Sequence, residues 1–434
     1  MNEKWKNLPA SCTLKVIFWM FVAAFLIAAF ISPDRAEMLS GLQAIYTTPA
    51  QVTKDYFIVG SISGSFLNMA LTGTLCAALT FIPGCTAKGS TIAAFFLTMG
   101  FTTWGINILN IWPFILGVFL NAKLRKLPIG GSVDLAMFAT GLCPVVSEML
   151  FRYPGEEVHG FTAMGILLAL VVGTAIGFLT PALAAHSPNL HKGFNLYSAA
   201  MPAGFLGFFL VALMYKTLGK PLPPIEATLG ESQNLVAYIF FGTIFGGSII
   251  LGWFLNGKSF KGYLNLLKDS GHKADFVGNH GVGLTIMNFG IYGLCIVAYY
   301  TAIGGSFNGV TCGIVFCMSC FGAAGSHPGN VWPIVAGYIL ASLVGVNPIN
   351  AQAIMVGLCY ASGLCPIAGK YGWWAGIIGG VAHYSLVTSV PALHGGFCLY
   401  NGGFTSILIA MMLIPQLEMF SKTKEERRLQ KAGK

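Results

Sequence analysis

Charge is what this sequence has least of. Only 9% of its 434 residues are Asp, Glu, Lys or Arg, where a soluble domain carries about 25%. A chain this poor in charge has no polar coat to wrap around an apolar interior, so a soluble globular protein is excluded. No acidic side chain lies at the centre of any long apolar run, and Glu148 and Lys370 each stand at the end of one. A proton- or sodium-driven pump usually keeps a carboxylate inside the membrane. Its absence favours a neutral or weakly charged solute, a passive path, or ions held by backbone carbonyls. Walker A, Rossmann glycine, HExxH and GxSxG patterns are missing as well, and with them the usual marks of ATP hydrolysis and of common enzymes. The 11 cysteines sit mostly in apolar runs. Cys317 and Cys320 have CxxC spacing but no second ligand pair nearby, so no metal site and no cofactor are expected.

Apolar residues fill the space that charge leaves. They make up 55% of the chain, and the mean hydropathy is +0.72. Runs such as 14–31, 160–179 and 235–255 match the roughly 20 residues that span a bilayer. The first lacks a small-residue cleavage site before the polar stretch 32–37 and reads as a retained helix rather than a signal peptide.

The chain is also written twice. Residues 55–120 fall on 275–340 at an offset of 220 without a gap, matching Asn68/Asn288, Gly73/Gly293, Gly89/Gly309, Phe96/Phe316, Asn110/Asn330, Trp112/Trp332 and Pro113/Pro333. AxGLCP recurs at 139–144 and 361–366, and LHxGFxLY at 190–197 and 393–400. In a membrane protein, internal repeats of this kind mark a transporter or channel with its path between the repeats.

Fourteen apolar elements can be drawn, seven per repeat. They are 14–32, 56–82, 89–106, 111–122, 132–150, 160–182 and 197–215, then 235–256, 279–303, 309–324, 331–344, 351–368, 371–389 and 401–417. The short pairs 89–106/111–122 and 309–324/331–344 are each either two short helices or a re-entrant hairpin. With the N-terminus in the cytoplasm and every element crossing, 19 of the 24 Lys and Arg residues fall inside, as the positive-inside rule demands. The net charge of +9 then reflects topology and anionic lipid, not nucleic acid. Seven is odd, so the second repeat enters the membrane inverted. Matched loops accordingly differ in charge: 123–126 is KLRK where its counterpart 343–346 is LVGV, and Glu148 aligns with Lys370.

The repeated polar residues are the candidate site. Asn110 and Asn330 open NxWP motifs, which read as a helix break and a new start that caps itself. The motif is either part of a path or an interfacial anchor through its Trp. Cys143 and Cys365 sit in GLCP, where glycine and proline inside an apolar run make either a kink or freed carbonyls. His191, Tyr197, His394 and Tyr400 carry the LHxGFxLY motif, extended by Asn401 where repeat one has Ser198. His and Tyr both donate and accept hydrogen bonds, though both also serve as anchors at membrane edges. Asn68 and Asn288 lie within long apolar elements and need partners there, from neighbouring helices or from a solute. Asp55 and Asp275 precede apolar elements and read either as helix N-terminal charges or as ion-coupling groups.

The GLCP motifs together with LHGGFCLYN, most of all residues 393–403, resemble a family of bacterial multi-spanning membrane proteins known only as a domain of unknown function. More loosely, the Gly- and Asn-rich stretch from Gly396 is similar to urea-transporter-type channels, which are also built from inverted repeats. The expectation is an all-α integral membrane protein of two inverted-topology repeats, residues 1–225 and 226–434, with about seven hydrophobic elements each and broken or re-entrant helices. It would sit in the bacterial inner membrane with both termini cytoplasmic. There it would move a small polar solute past Asn68, Asn110, Cys143, His191, Tyr197 and their partners Asn288, Asn330, Cys365, His394 and Tyr400. Its partners would be that solute and membrane lipid, with room for a homo-oligomer. A urea- or amide-like passive channel is the nearer alternative. A membrane-embedded lipid enzyme is the farther one, and the unpaired His327 and His383 would be the place to look for it.

Overall fold

A computed structural model describes residues 8–225, 228 and 230–432. The expected repeat boundary at 225/226 and the extreme chain ends fall on residues outside this set. A helix stands on every one of the fourteen expected elements, and no strand occurs among the described residues. In repeat one the helices are α1 (Ala10–Ile31), α2 (Ile62–Leu79), α3 (Gly89–Phe101), α4 (Ile108–Leu124), α5 (Ile129–Phe151), α6 (Ala163–His191) and α7 (Ala200–Thr217). In repeat two they are α8 (Asn234–Leu255), α9 (Phe276–Ala302), α10 (Gly309–Ala323), α11 (Pro328–Ser342), α12 (Gln352–Tyr371), α13 (Trp373–Val387) and α14 (Asn401–Phe420). Each helix of the first repeat corresponds to the one seven places later. Among the described residues, nine helices are long and apolar enough to cross a membrane. Large apolar side chains such as Ile27, Phe30, Leu167, Val171, Ile239 and Ile250 are exposed on their outer faces. This is the surface of a multi-pass membrane protein, turned toward lipid.

Local sequence explains the breaks. Helix α5 is interrupted by a 3-10 turn at Ala139–Leu142, after which Cys143–Phe151 resumes with Pro144 in its first turn. There the missing N–H of proline costs nothing. Helix α12 repeats this, with a turn at Ser362–Leu364 and Pro366 after it. The starts of α3 and α10 are closed by matching boxes: Thr91 Oγ1 accepts from the Lys88 N–H at 3.0 Å, and Thr311 Oγ1 from the Asn308 N–H at 2.7 Å. Glycine lets the backbones of α4 and α6 touch. A methyl on Gly177 would lie 2.2 Å from the Phe114 carbonyl, and one on Gly380 would lie 2.4 Å from that of Ile334 in the pair α11/α13.

The centre of the molecule is where α3 meets α10. A Cβ on Gly89 would touch the Ala323 carbonyl, and one on Gly100 the Gly313 carbonyl. Phe96 and Phe316 stack at 5.7 Å, and Thr103 Oγ1 donates to the Gly309 carbonyl at 2.7 Å. Rising numbers on one helix meet falling numbers on the other, so α3 and α10 run antiparallel. Their equivalent phenylalanines lie face to face at the crossing. Helices α1 and α8 do the same: one end of the groove between them is lined by Ile31, Leu235 and Val236, the other by Met20, Ser248 and Leu251. Phe21, Phe25, Phe240, Phe245 and Phe289 close around the stacked pair, a dry aromatic plug.

Candidate functional site

Each short hairpin is tied down by an asparagine from the neighbouring long helix. Asn68 Nδ2 donates to the carbonyls of Thr102 (2.8 Å) and Ile106 (2.9 Å). Asn288 Nδ2 donates to those of Gly322 (2.7 Å) and Ser326 (2.9 Å). All three positions of each set shift by 220, so the same knot is tied twice. Asn110 completes the first turn: its Oδ1 accepts from the Asn107 N–H and its Nδ2 donates to the Gly105 carbonyl and to Ser147 Oγ at 3.0 Å. Asn330 does likewise with the His327 N–H and the Gly325 carbonyl. The neighbouring Trp112 and Trp332 point outward, about half exposed. The NxWP motif therefore lies in the first turn of a helix that begins two residues earlier, with its asparagine bonded back to the turn before it and its Trp outward.

The second set of contacts runs between the repeats. The Asp55 carboxylate accepts from the Phe57 N–H (2.8 Å) of its own repeat and from the Gly309 N–H (3.0 Å) at the start of α10. Asp275 accepts from the Val277 N–H (3.2 Å) and from the Gly89 N–H (3.1 Å) at the start of α3. Each aspartate thus serves two helix N-termini, one in each half, where a negative charge is favoured. Burial pushes the Asp55 carboxyl up to about 6, against the pull of its two backbone donors.

The LHxGFxLY motifs are exchanged in the same way. Tyr400 lies on the bare face of Gly141, where a Cβ would come within 2.5 Å of its ring, and the Leu399 N–H donates to the Gly141 carbonyl at 2.8 Å. Tyr197 lies on Gly363, where a Cβ would come within 2.3 Å, and the Leu196 N–H donates to the Gly363 carbonyl at 3.0 Å. Each repeat's tyrosine thus sits on the helix break of the other repeat. Tyr197 packs on Phe321 (4.3 Å) and its hydroxyl faces the carbonyls of Cys317 (2.9 Å) and Cys359 (3.0 Å). Tyr400 packs on Phe101 (5.3 Å), the equivalent of Phe321.

Tyr197 and Tyr400 share one cavity of about 130 Å³ with Leu97, Phe138, Leu196 and Phe321. The other nine candidates do not line it. Asn68 and Asn110 belong to one junction, with Cys143 buried in the adjacent break. Asn288, Asn330 and Cys365 belong to the other, with Cys365 Sγ 3.4 Å from Ser326 Oγ. His191 is held in its own loop: Nδ1 accepts from the Gly193 and Asn195 N–H groups, which leaves the Nε2 proton for Ser198 Oγ at 2.7 Å. His394 packs edge-on to Phe404 beside Gly207 of α7. Asn401 is buried at the start of α14. Unpaired His383 bridges the Tyr338 hydroxyl and the Gly402 carbonyl, and His327 faces the Asp269 carbonyl.

What the sequence did not reveal is which half each motif serves. The aspartates read as N-terminal charges of their own helices or as ion-coupling groups, and the tyrosines as path-lining groups or interfacial anchors. The signal was there in the joint repetition of Asp55 with Gly89 and of Gly141 with Tyr197, since a cap and its target that repeat together can be exchanged. No curated protein and no solved structure matches the chain. A protein family does match, over residues 34–216 and 255–419, and these stretches take in the hairpins, breaks and exchanged tyrosines of both repeats but leave out α1 and nearly all of α8. The chain belongs to that family, described as Protein of unknown function (DUF1576).

Proposed function

We propose that the protein is a transporter or facilitator that moves a small polar solute across a bacterial inner membrane at the interface of its two repeats. In this reading the repeats lie in the bilayer upside down to one another, with both termini in the cytoplasm. The antiparallel courses of α1 against α8 and of α3 against α10 support the inversion, and the distribution of basic residues supports the orientation. The observation that carries the reading is the exchange of tyrosines. Each repeat inserts one aromatic side chain into the helix break of the other, and a small cavity lies between the two seats. Broken helices at a repeat interface are the usual setting of a transporter's binding site. Two equivalent seats on opposite faces allow one to loosen while the other stays closed. Most asparagine amide groups are occupied by backbone and the Tyr197 hydroxyl by two carbonyls, so the solute would meet chiefly aliphatic and aromatic surface, with Ser198 and the Tyr400 hydroxyl as the polar groups, which suits a small, weakly charged molecule.

The test is reconstitution into proteoliposomes, followed by light scattering after an osmotic step with small polar solutes such as urea, acetamide, glycerol and glycine. At least one should enter faster than into protein-free vesicles. Leu97→Trp, which fills the cavity, should abolish that gain while the protein stays monodisperse in detergent. A Leu97→Trp protein that admits the same solute at the wild-type rate would overturn the placement of the path. Rates equal to those of empty vesicles for every solute would overturn the reading.

A further inference from the structure

The pseudo-symmetry is broken by charge at one buried place. Glu148, near the end of α5, aligns with Lys370 of α12. Lys370 lies at 5.8 Å over the ring of Phe194. The equivalent of Phe194 is Phe397, and Phe397 stacks at 6.0 Å on Tyr215, which stands by Glu148. Both sites lie at the exchanged junctions, but only one holds a buried acid: Glu148 is enclosed, whereas Glu426, which faces Lys370, is exposed.

That acid is poorly satisfied. Glu148 is 1% exposed, and its Oε2 has no hydrogen-bond partner. The nearest cation is Arg152, whose Nε lies 3.8 Å away and also lacks a hydrogen bond. The buried Tyr215 hydroxyl is unpartnered too. The groups facing the carboxylate are thus Arg152 and Tyr215, with Tyr153 edge-on behind Tyr215 at 6.1 Å. Above them Arg152 lines a cavity of about 340 Å³, closed by Gly155, Glu156 and the proline-rich segment 221–224. A buried ion pair normally survives only with tight geometry and further hydrogen bonds. This one has neither, so its guanidinium is poised to exchange partners.

We propose that Arg152 and Glu148 form a binding site for a small oxyanion, such as a carboxylate, in which the anion binds together with one proton. In the empty site Arg152 is paired with ionised Glu148. When the anion takes the guanidinium from the cavity side, a proton from solvent goes to the Glu148 carboxylate. The site is then neutral both before (Arg⁺, Glu⁻) and after (Arg⁺, anion⁻, GluH), and no isolated charge is ever buried. Glu156 is exposed at the rim, where water screens its repulsion. Its carboxylate could also pair with the ammonium group of an amino acid. As the entry site of the solute, this inference rests on the transport reading, but the binding itself does not.

The experiment measures binding of acetate, glycine and inorganic phosphate to the detergent-solubilised full chain by calorimetry across a pH series. Acetate affinity should rise as pH falls, by up to about tenfold per pH unit for one linked proton. Glu148→Gln, which mimics the protonated acid, should bind at all pH values without that slope, and Arg152→Gln should lose binding. Glycine binding better than acetate would assign Glu156 to the site, and phosphate binding better would assign an inorganic oxyanion. Pairing with Arg152 would stand in either case. Infrared difference spectra give a second readout, needed if Arg152→Gln does not fold. Acetate added at fixed pH should raise a protonated-carboxyl band in the wild type that Glu148→Gln lacks. Absence of binding by all three probes, a pH-independent wild-type affinity, or a band that persists in Glu148→Gln would overturn the proposal. None of these outcomes depends on whether vesicles transport a solute.

Discussion

Asp55 shows how one residue can hold two halves of a chain. Its carboxylate receives an N–H from Phe57 and one from Gly309. Burial lifts its pKa from 3.8 to about 6. The folded state therefore binds this proton more tightly than the unfolded state does. The stability the group contributes is full below about 3.8 and is lost as pH rises through about 6. Asparagine cannot ionise, but it has one acceptor oxygen where the two N–H groups meet both oxygens of the carboxylate, so its NH₂ would face a second donor. Asp55→Asn should therefore lower the thermal midpoint at neutral pH, and it should lack the wild type's gain on acidification. Midpoints of detergent-solubilised protein over a pH series check this, and an unchanged pH profile would assign the effect elsewhere. Asp55→Ala, which removes both caps, should cost about 2 kcal/mol.

At the scale of the element, the hairpins depend on Asn68 and Asn288. Removing either amide strands two buried carbonyls, each costing about 1–3 kcal/mol. Asn68→Ala and Asn288→Ala should therefore lower the thermal midpoint by similar amounts, whereas a path-lining residue would spare stability and impair flux. The helix breaks make a sharper case. Gly141→Ala and Gly363→Ala should each cost about 1–3 kcal/mol through overpacking, because the added methyl meets a tyrosine ring of the other repeat. Tyr400→Ala should relieve the first and Tyr197→Ala the second, and a crossed pattern of rescue in thermal midpoints would verify the exchange. Much at this scale was legible beforehand. The fourteen elements follow from apolar runs, and the breaks at GLCP and near NxWP from proline, glycine and asparagine acting on their own neighbours, although Asn110 and Asn330 stand third in their helices rather than at the caps. The crossings were not legible, because Tyr197 and Gly363 are 166 positions apart and periodicity reports only what lies within a few turns. Burial of Glu148 was hidden for a related reason. An acid at the end of an apolar run looks like an interfacial residue until the packing around it is known.

For the whole molecule, inversion is a statement about direction. Reporter fusions in a bacterial host should place the C-terminal tail in the cytoplasm and the Lys216–Lys220 loop outside. A C-terminal reporter active on the far side of the membrane would break the correspondence between equivalent helices and opposite courses. Coarse architecture came from composition and repeat alone, because bilayer thickness constrains helix length. Where a solute would bind needed packing, and the polar residues that looked most like a path are mostly committed to backbone.

The crossed tyrosines also impose an order of events during synthesis. Gly141 leaves the ribosome 259 residues before Tyr400, a wait of roughly 13–50 s at about 5–20 residues per second. Throughout that interval the nascent first repeat holds a helix break with no ring upon it, and until Asp275 is made it also holds an α3 start with no aspartate. An exposed break in lipid is a signal that membrane chaperones and proteases can read. The first half released alone should therefore be short-lived in the cell, and co-expression of the second half as a separate chain should lengthen its life.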